Sequence, residues 1–415
     1  MIKSTPVLNP IQDNISLPGD KSISHRALIL AAISFGITQI KRCLKADDCV
    51  ATARALQQMG VRIEWLEDKA IVYGVGRDGL SAPDSPIDCG NSGTSMRLLA
   101  GLLAGQAFDS VLVGDDSLSR RPMMRIVTPL RQMGALIDAN HGCAPLKIFG
   151  RQHLKSMIYT PPMASAQVKS CVLLAGLYAD GQTKVIERVK TRDHTEAMLP
   201  FFLNRDNQNR MLRVPGDLSS AAFFMVLACL VPGSELIMRG VGVNSTRMGV
   251  IGILKAMGAD ICLENQCFYG AEPVADIKVR YAELKGVDIS NVMLVQAIDE
   301  FPIILIAAAK ALGQTRVFGI DELRHKESNR VDAMTNGLAA LGILVVVDKN
   351  NLILAGGELQ GGTVDGVLDH RVAMAFLIAG AVAKAPIRVL NTSAISTSFP
   401  MFVHLAKQLG CCIKY

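Results

Sequence analysis

The segment Leu17-Pro-Gly-Asp-Lys-Ser-Ile-Ser-His-Arg26 sets an ammonium, a hydroxyl and a guanidinium at the start of an apolar run. Pro18 and Gly19 break the preceding chain, and residues 27–32 are small and aliphatic, as in a buried helix. Asp20 or Ser22 would cap that helix, whose first backbone N–H groups lack intrahelical partners. Ser22 and Arg26 stand four apart on one face, with Lys21 at the entrance. Such a helix start seats a phosphate or carboxylate. Taken alone, it is equally a plain cap with solvated charges.

Other polar clusters repeat the arrangement. Asp88-Cys-Gly-Asn-Ser-Gly-Thr-Ser-Met-Arg97 precedes the apolar residues 98–103, with Gly93 permitting close backbone approach and Asn91 and Thr94 offering hydrogen bonds. Ser119-Arg-Arg-Pro-Met123 places Arg120 and Arg121 before a proline expected to open a helix, and one arginine suits a bidentate clamp. Ser165, Ala166 and Gln167 head another apolar stretch, and Arg192-Asp-His-Thr-Glu196 reads first as a charged helix start. Asp299-Glu-Phe-Pro302 and Asp369-His370-Arg371 each stand at the mouth of a very apolar run. Between them Arg324-His-Lys-Glu-Ser-Asn-Arg330 sets Lys326 and Arg330 at helical spacing, as on a solvated face. Helix starts from two halves facing one cleft would grip two anions, with Asp299 and Glu327 available for proton transfer.

The scaffold that must hold these groups is large. With 415 residues, half of them apolar and 19% charged, the chain affords two domains and a sizeable α/β core. A net charge of +6 without any basic run argues against nucleic acid, and no apolar run reaches membrane-spanning length. The ten cysteines show no metal-ligand spacing and read as reduced thiols of a cytoplasmic protein. Six helix-to-strand passages recur, at Gly36, Gly105, Gly181, Gly233, Gly313 and Ala385. Five further helices end on a glycine before a strand, at Gly60, Gly134, Gly258, Gly342 and Gly410; the unit near Arg192–Asn204 lacks that ending. Val214-Pro-Gly-Asp-Leu-Ser-Ser220 echoes the opening motif, giving two halves of three units, with the polar stretch from Asn204 to Arg213 expected as a loop into a hinge.

In order, LPGDKSISHRA, GNSGTSMR, RRPM, SAQVKS, RDHTE, DEFP, HKESNR and DHR resemble the 5-enolpyruvylshikimate-3-phosphate synthase family along nearly the whole chain. The resemblance implies an α/β fold of two lobes, each of three βαβαββ repeats in an inside-out barrel closing on a hinge. The lobes would be residues 17–214, and 1–16 plus 215–415. It implies transfer of the enolpyruvyl group of phosphoenolpyruvate to shikimate 3-phosphate by a monomer, with no metal or organic cofactor. By motif, Lys21, Ser22, Arg26, Ser165, Ala166 (through its backbone), Gln167 and Arg192 would hold shikimate 3-phosphate, with Asp299 and Lys326 at its ring hydroxyls. Lys21, Asn91, Gly93, Thr94, Arg121, Gln167, Arg330, His370 and Arg371 would surround phosphoenolpyruvate. Asp299, Glu327 and Lys21 would be catalytic.

The chain departs from the family pattern in places. Thr397-Ser398 stands where many members carry a lysine before Phe399-Pro400, and Leu98 replaces a proline of the glyphosate-sensitive group. PGDKS, SAQVK, RDHTE and Asn244-Ser-Thr-Arg247 look like the second, less sensitive bacterial group, whereas Gly93 is the glycine tied to sensitivity. These clues point opposite ways. Three rivals stay open: the sister transferase acting on UDP-N-acetylglucosamine, an RNA-end cyclase of related architecture, and a non-enzymatic repeat scaffold. Lys21-Ser22 in place of Lys-Asn, and no cysteine near Arg120-Arg121, weigh against the first.

Overall fold

The helices Asp47–Gln58, Met124–Gln132, Gly249–Ala256, Arg330–Ala340 and Phe402–Gln408 each stop within two residues of a glycine and turn into a strand. At Gly134 and Gly258 the backbone φ is 101° and 99°. A side chain there would be strained, so the turn selects glycine. Gly60, Gly342 and Gly410 stand at the equivalent place. The six shorter passages also become strands, from Phe35–Lys41 to Ile387–Leu390.

The computed structural model describes residues 1–204 and 208–414, and divides them into two units. The terminal unit comprises Met1–Pro18, Pro215–Phe268 and Pro273–Tyr415; the inserted unit comprises Gly19–Val214 with Tyr269–Glu272. The division falls at the two Pro-Gly-Asp turns. Gly19 is packed so closely that a Cβ would lie 1.9 Å from the Arg42 carbonyl oxygen, which bars any larger residue. Tyr269–Glu272 group with the inserted unit because Arg213 lies over the Tyr269 ring at 4.5 Å and His194 Nε2 is 3.5 Å from Glu272.

The terminal unit holds three four-stranded sheets, each with one parallel pair and antiparallel pairing beside it. The N-terminal strand Ile2–Thr5 completes the last repeat, lying between Ile387–Leu390 and Cys412–Lys414. Gln12–Ser16 pairs in parallel with Glu235–Gly242, Gln12 opposite Glu235. Three apolar helices, Leu218–Leu230, Phe301–Lys310 and His370–Val382, are buried almost throughout. They are apolar on every face, as a helix without a solvent side must be. Each enclosed Leu, Ile or Phe contributes about 1.5–3 kcal/mol.

The inserted unit has the same plan with one reduced repeat. Two four-stranded sheets stand beside a two-stranded pair, Ile158–Tyr159 with Lys184–Val185. The third repeat, the one without a glycine ending, builds no hairpin. Asn209–Arg213, expected as loop, is instead a strand parallel to Phe35–Lys41. Its polar Arg210 is only 3% exposed, because the guanidinium donates to the carbonyls of Phe35, Phe201, Phe202 and Asn204. The rest of the expected loop, 205–207, lies outside the described residues. The buried helices here are Lys21–Ala32, Gly93–Leu103 and Ala166–Gly176. Among the described residues no sheet closes on itself, so the barrel expected above takes the form of separate sheets against central helices.

Candidate functional site

In the inserted unit the three central helices present their N-termini together. Asp20 accepts from Ile23 N at 2.9 Å, Ser92 from Ser95 N at 3.1 Å and Ser165 from Val168 N at 3.4 Å. Asp20, not Ser22, is therefore the first cap. Arg26, 3% exposed, ties the first of these helices to the Ala166–Gly176 helix and to the His194–Leu203 helix. Its guanidinium donates to Ser170 Oγ at 2.6 Å, Thr195 Oγ1 at 2.8 Å and the Ser22 carbonyl at 2.9 Å. Arg192 reaches Ser22 Oγ at 3.4 Å, and Lys21 pairs with Asp48.

Gln167 bridges the other two helices, donating to Thr94 Oγ1 at 2.9 Å and accepting from Arg97. Arg121 donates to Asn91 Oδ1 at 2.6 Å, and Asn91 to Asp115 at 2.7 Å. The Pro122 turn is looser than expected: Leu118–Arg120 form a short 3-10 turn and the helix begins only at Met124. A Cβ on Gly93 would stand 3.0 Å from Arg97 and 3.2 Å from Arg121, both at guanidinium nitrogens. Lys21, Ser22, Arg26, Asn91, Gly93, Thr94, Arg121, Ser165, Ala166, Gln167 and Arg192 thus form one connected cluster. Burial, reinforced by Lys21 and Arg26, pushes His25 well below the usual imidazole range; its neutral ring bonds Thr52 at 2.8 Å.

The terminal unit gathers acids with arginines. Arg330 is fully buried and bonds Asp369 through Nε at 2.9 Å and Glu327 through Nη2. Its Nη1 makes no hydrogen bond among the described residues and stands 3.6 Å from Asp299. Arg371 donates to the Asp299 carbonyl at 3.1 Å and lies 3.9 Å from both the Asp299 and Glu300 carboxylates. Asp369 caps its helix by accepting from Arg371 N at 2.9 Å. Burial weighs most on Arg330 and pulls its pKa down, but Asp369, Glu327 and Asp299 together carry it above the usual guanidinium value. For Asp369 burial again weighs most, yet Arg330 holds it below the ordinary carboxylate range.

Two expectations are corrected here. Lys326 and Arg330 do not share a helix face: Ile320–His325 is a 3-10 segment, Lys326 is extended, and the α-helix starts at Arg330. Burial lowers the Lys326 pKa, opposed by Asp299 and Glu322. Asp299, which its place ahead of Phe301-Pro302 would make a helix cap, is not one: Glu300 is the residue before the Phe301–Lys310 helix. His370 Nδ1 lies 3.4 Å from Thr397 Oγ1, where the family lysine is missing.

Several participants escape sequence reasoning. Arg97, Ser170 and Asp48 lie inside helices, where a polar residue looks incidental, and their partners come from 20 to 140 positions away. Buried Glu300 accepts from Ser219, which also accepts from Arg247 at 2.6 Å. Arg247 closes the Asn244-Ser-Thr-Arg247 motif, read above only as a mark of the second bacterial group. Among the described residues no cluster of His, Cys, Asp or Glu could hold a metal ion, and no helix is long and apolar enough to cross a membrane.

A family profile described as EPSP synthase (3-phosphoshikimate 1-carboxyvinyltransferase) matches residues 7–405. A relative from Legionella pneumophila subsp. pneumophila strain Philadelphia 1, named 3-phosphoshikimate 1-carboxyvinyltransferase, is 51% identical over 414 residues, 96% of each chain. The solved EPSP synthase of Acinetobacter baumannii superposes with a TM-score of 0.87 at 44% identity, covering 100% of this chain and 99% of that one. The enolpyruvyl transferase NikO from Streptomyces tendae, at 14% identity, shares the fold with a TM-score of 0.78 over 100% of this chain and 98% of its own. With a matching profile over nearly its full length and half its residues identical to a named relative, the chain belongs to the EPSP synthase family.

Proposed function

We propose that the two clusters are the half-sites of one reaction, working in a cytoplasmic monomer. The enzyme transfers the enolpyruvyl group of phosphoenolpyruvate to the 5-hydroxyl of shikimate 3-phosphate, in the shikimate pathway to aromatic amino acids. The observation that carries the residue assignment is the gathering of Lys21, Arg26, Arg97, Arg121 and Arg192 about three helix N-termini. That is a seat for two phosphates and a carboxylate, each helix end adding about 0.3–1 kcal/mol of attraction. Ten free cysteines fit a reducing compartment.

In this reading Lys21, Ser22, Arg26, Ser165, Ala166, Gln167 and Arg192 hold shikimate 3-phosphate, and Asp299 and Lys326 its hydroxyls. Lys21, Asn91, Gly93, Thr94, Arg121, Gln167, Arg330, His370 and Arg371 take phosphoenolpyruvate. Asp299 accepts the proton of the attacking 5-hydroxyl while a C–O bond forms at C2 of phosphoenolpyruvate. Glu327 delivers a proton to C3. In the second step a C3 proton returns to Glu327, the C2–O bond to phosphate breaks, and the hydroxyl proton leaves with the phosphate. Lys21 and the arginines balance the charge that builds on the departing group.

Phosphate release should appear with shikimate 3-phosphate and phosphoenolpyruvate, and not with UDP-N-acetylglucosamine as acceptor. The reverse preference overturns the substrate assignment. Gly93→Ala tests the smaller site. The added methyl meets only the ends of two flexible arginines, so they give by a few tenths of an ångström and the fold keeps its melting temperature. The KM for phosphoenolpyruvate should rise several-fold while that for shikimate 3-phosphate stays unchanged. An unchanged phosphoenolpyruvate KM removes Gly93 from that subsite.

A further inference from the structure

Lys169 sits one residue before Ser170 on the Ala166–Gly176 helix, and its side chain is 2% exposed. A lysine taken wholly out of water needs its ammonium fully paired. The Nζ meets Glu187 at 2.7 Å, Glu196 at 2.8 Å and the Thr191 carbonyl at 3.3 Å. Those three partners flank Arg192 in the chain. Glu187 also accepts from Thr191, through both the hydroxyl and the backbone N–H. Between Lys184–Val185 and the His194–Leu203 helix the backbone is held at its ends, by Ile186 N–H donating to the Tyr159 carbonyl at 2.8 Å and by the Asp193 carbonyl accepting from Ala197 N–H at 2.9 Å, and residues 187–192 between them belong to no strand or helix. The buried ammonium and the carboxylates it recruits hold that stretch.

The segment and the helix it leads into deliver two groups to the phosphate seat. Arg192 stands 3.4 Å from Ser22 Oγ, and Thr195 accepts from Arg26 and donates to Ser170 at 2.7 Å. Resting on the assignment of Arg192 to shikimate 3-phosphate, we propose that Lys169 is a positioning residue for that substrate: its pairing with Glu187 and Glu196 fixes the loop that carries Arg192. Lys169 touches neither substrate. It sets the entropy of ordering Arg192, because an arginine on an untethered loop must be immobilised at each binding event.

Steady-state kinetics of Lys169→Met, Arg192→Ala and the double variant test this. Lys169→Met should raise the KM for shikimate 3-phosphate about tenfold, leaving the KM for phosphoenolpyruvate within twofold. Arg192→Ala should raise the same KM at least as much, and in its background Lys169→Met should add less than twofold, since the group it positions is gone. An Arg192→Ala variant with normal KM for shikimate 3-phosphate removes Arg192 from the site, and the proposal with it. A normal Arg192 effect beside an unchanged KM in Lys169→Met, equal rises for both substrates, or fully multiplicative effects overturn the role of Lys169 alone. Should Lys169→Met fail to fold, Glu196→Gln, whose side chain is 39% exposed, weakens the same tether and should show the same selective rise. No rise in Glu196→Gln overturns the proposal in that case.

Discussion

Replacing Glu327 by glutamine should lower kcat by about 10²–10⁴-fold, the range of a lost general acid, with the fold intact. The amide keeps the size of the side chain and can still accept from Arg330, but it holds no transferable proton. Glu327 is bonded to Arg330 Nη2. Arg330 keeps Nη1 unbonded among the described residues, 3.6 Å from Asp299, whose side chain is 20% exposed, while Glu327 on Nη2 is 25% exposed. In the reading proposed above, a phosphoenolpyruvate anion that takes up Arg330 competes for that guanidinium and leaves Glu327 to carry a proton when the vinyl group arrives. Asp299→Ala should be comparably slow, for a different reason: it removes the acceptor of the hydroxyl proton. The two are separated in deuterated water. Exchange of deuterium into the phosphoenolpyruvate methylene should vanish in Glu327→Gln. Near-normal turnover in either variant ends its assigned role, and undiminished methylene exchange in Glu327→Gln moves carbon protonation elsewhere.

What the sequence discloses here is whatever depends on local geometry. Gly134 and Gly258 mark helix ends because a φ near 100° leaves little choice of residue, and Pro18-Gly19 and Pro215-Gly216 mark where the chain enters and leaves the main body of the inserted unit. Lys21, Gly93, Ala166, Asp299 and His370 are legible because each stands where an apolar run begins. Long-range pairing is what stays hidden. Arg210 makes Asn209–Arg213 look like loop, because nothing nearby says that a guanidinium will satisfy carbonyls 175 positions away at Phe35. Lys326 and Arg330 look like a helical pair because spacing carries meaning only where a helix exists, and the helix begins at Arg330. Lys169 reads as one more polar residue of a mostly apolar helix until Glu187 and Glu196 are seen to fold back on it.

Arg330→Met should cost the terminal unit about 3–5 kcal/mol, the usual penalty for stranding a buried partner. For a unit of this size that is on the order of 10 °C in melting temperature. Asp369 has no exposure of its own, and Arg330 is what offsets its burial. Ser328 at 3.1 Å and the Arg371 N–H at 2.9 Å remain, too little to carry the full charge. The pH dependence follows from the direction of the shift. In the parent protein Asp369 titrates below its unfolded value of about 3.9, so its stabilisation is present above that pH and is lost as pH falls through the lower folded value. Without Arg330, burial dominates and raises the folded value. The variant is then most penalised at neutral pH, and the penalty shrinks on acidification as the carboxyl takes up a proton. Melting curves from pH 7 to 4.5 should show the gap between parent and variant narrowing; a gap independent of pH refutes the account of Asp369. Arg330→Met with Asp369→Asn separates stability from chemistry. Asparagine still caps the His370–Val382 helix, so most of the melting temperature should return, while turnover should not, because the Arg330 guanidinium is no longer there to take its share of the anion. Recovery of activity along with stability would make Arg330 a strut of the fold and nothing more.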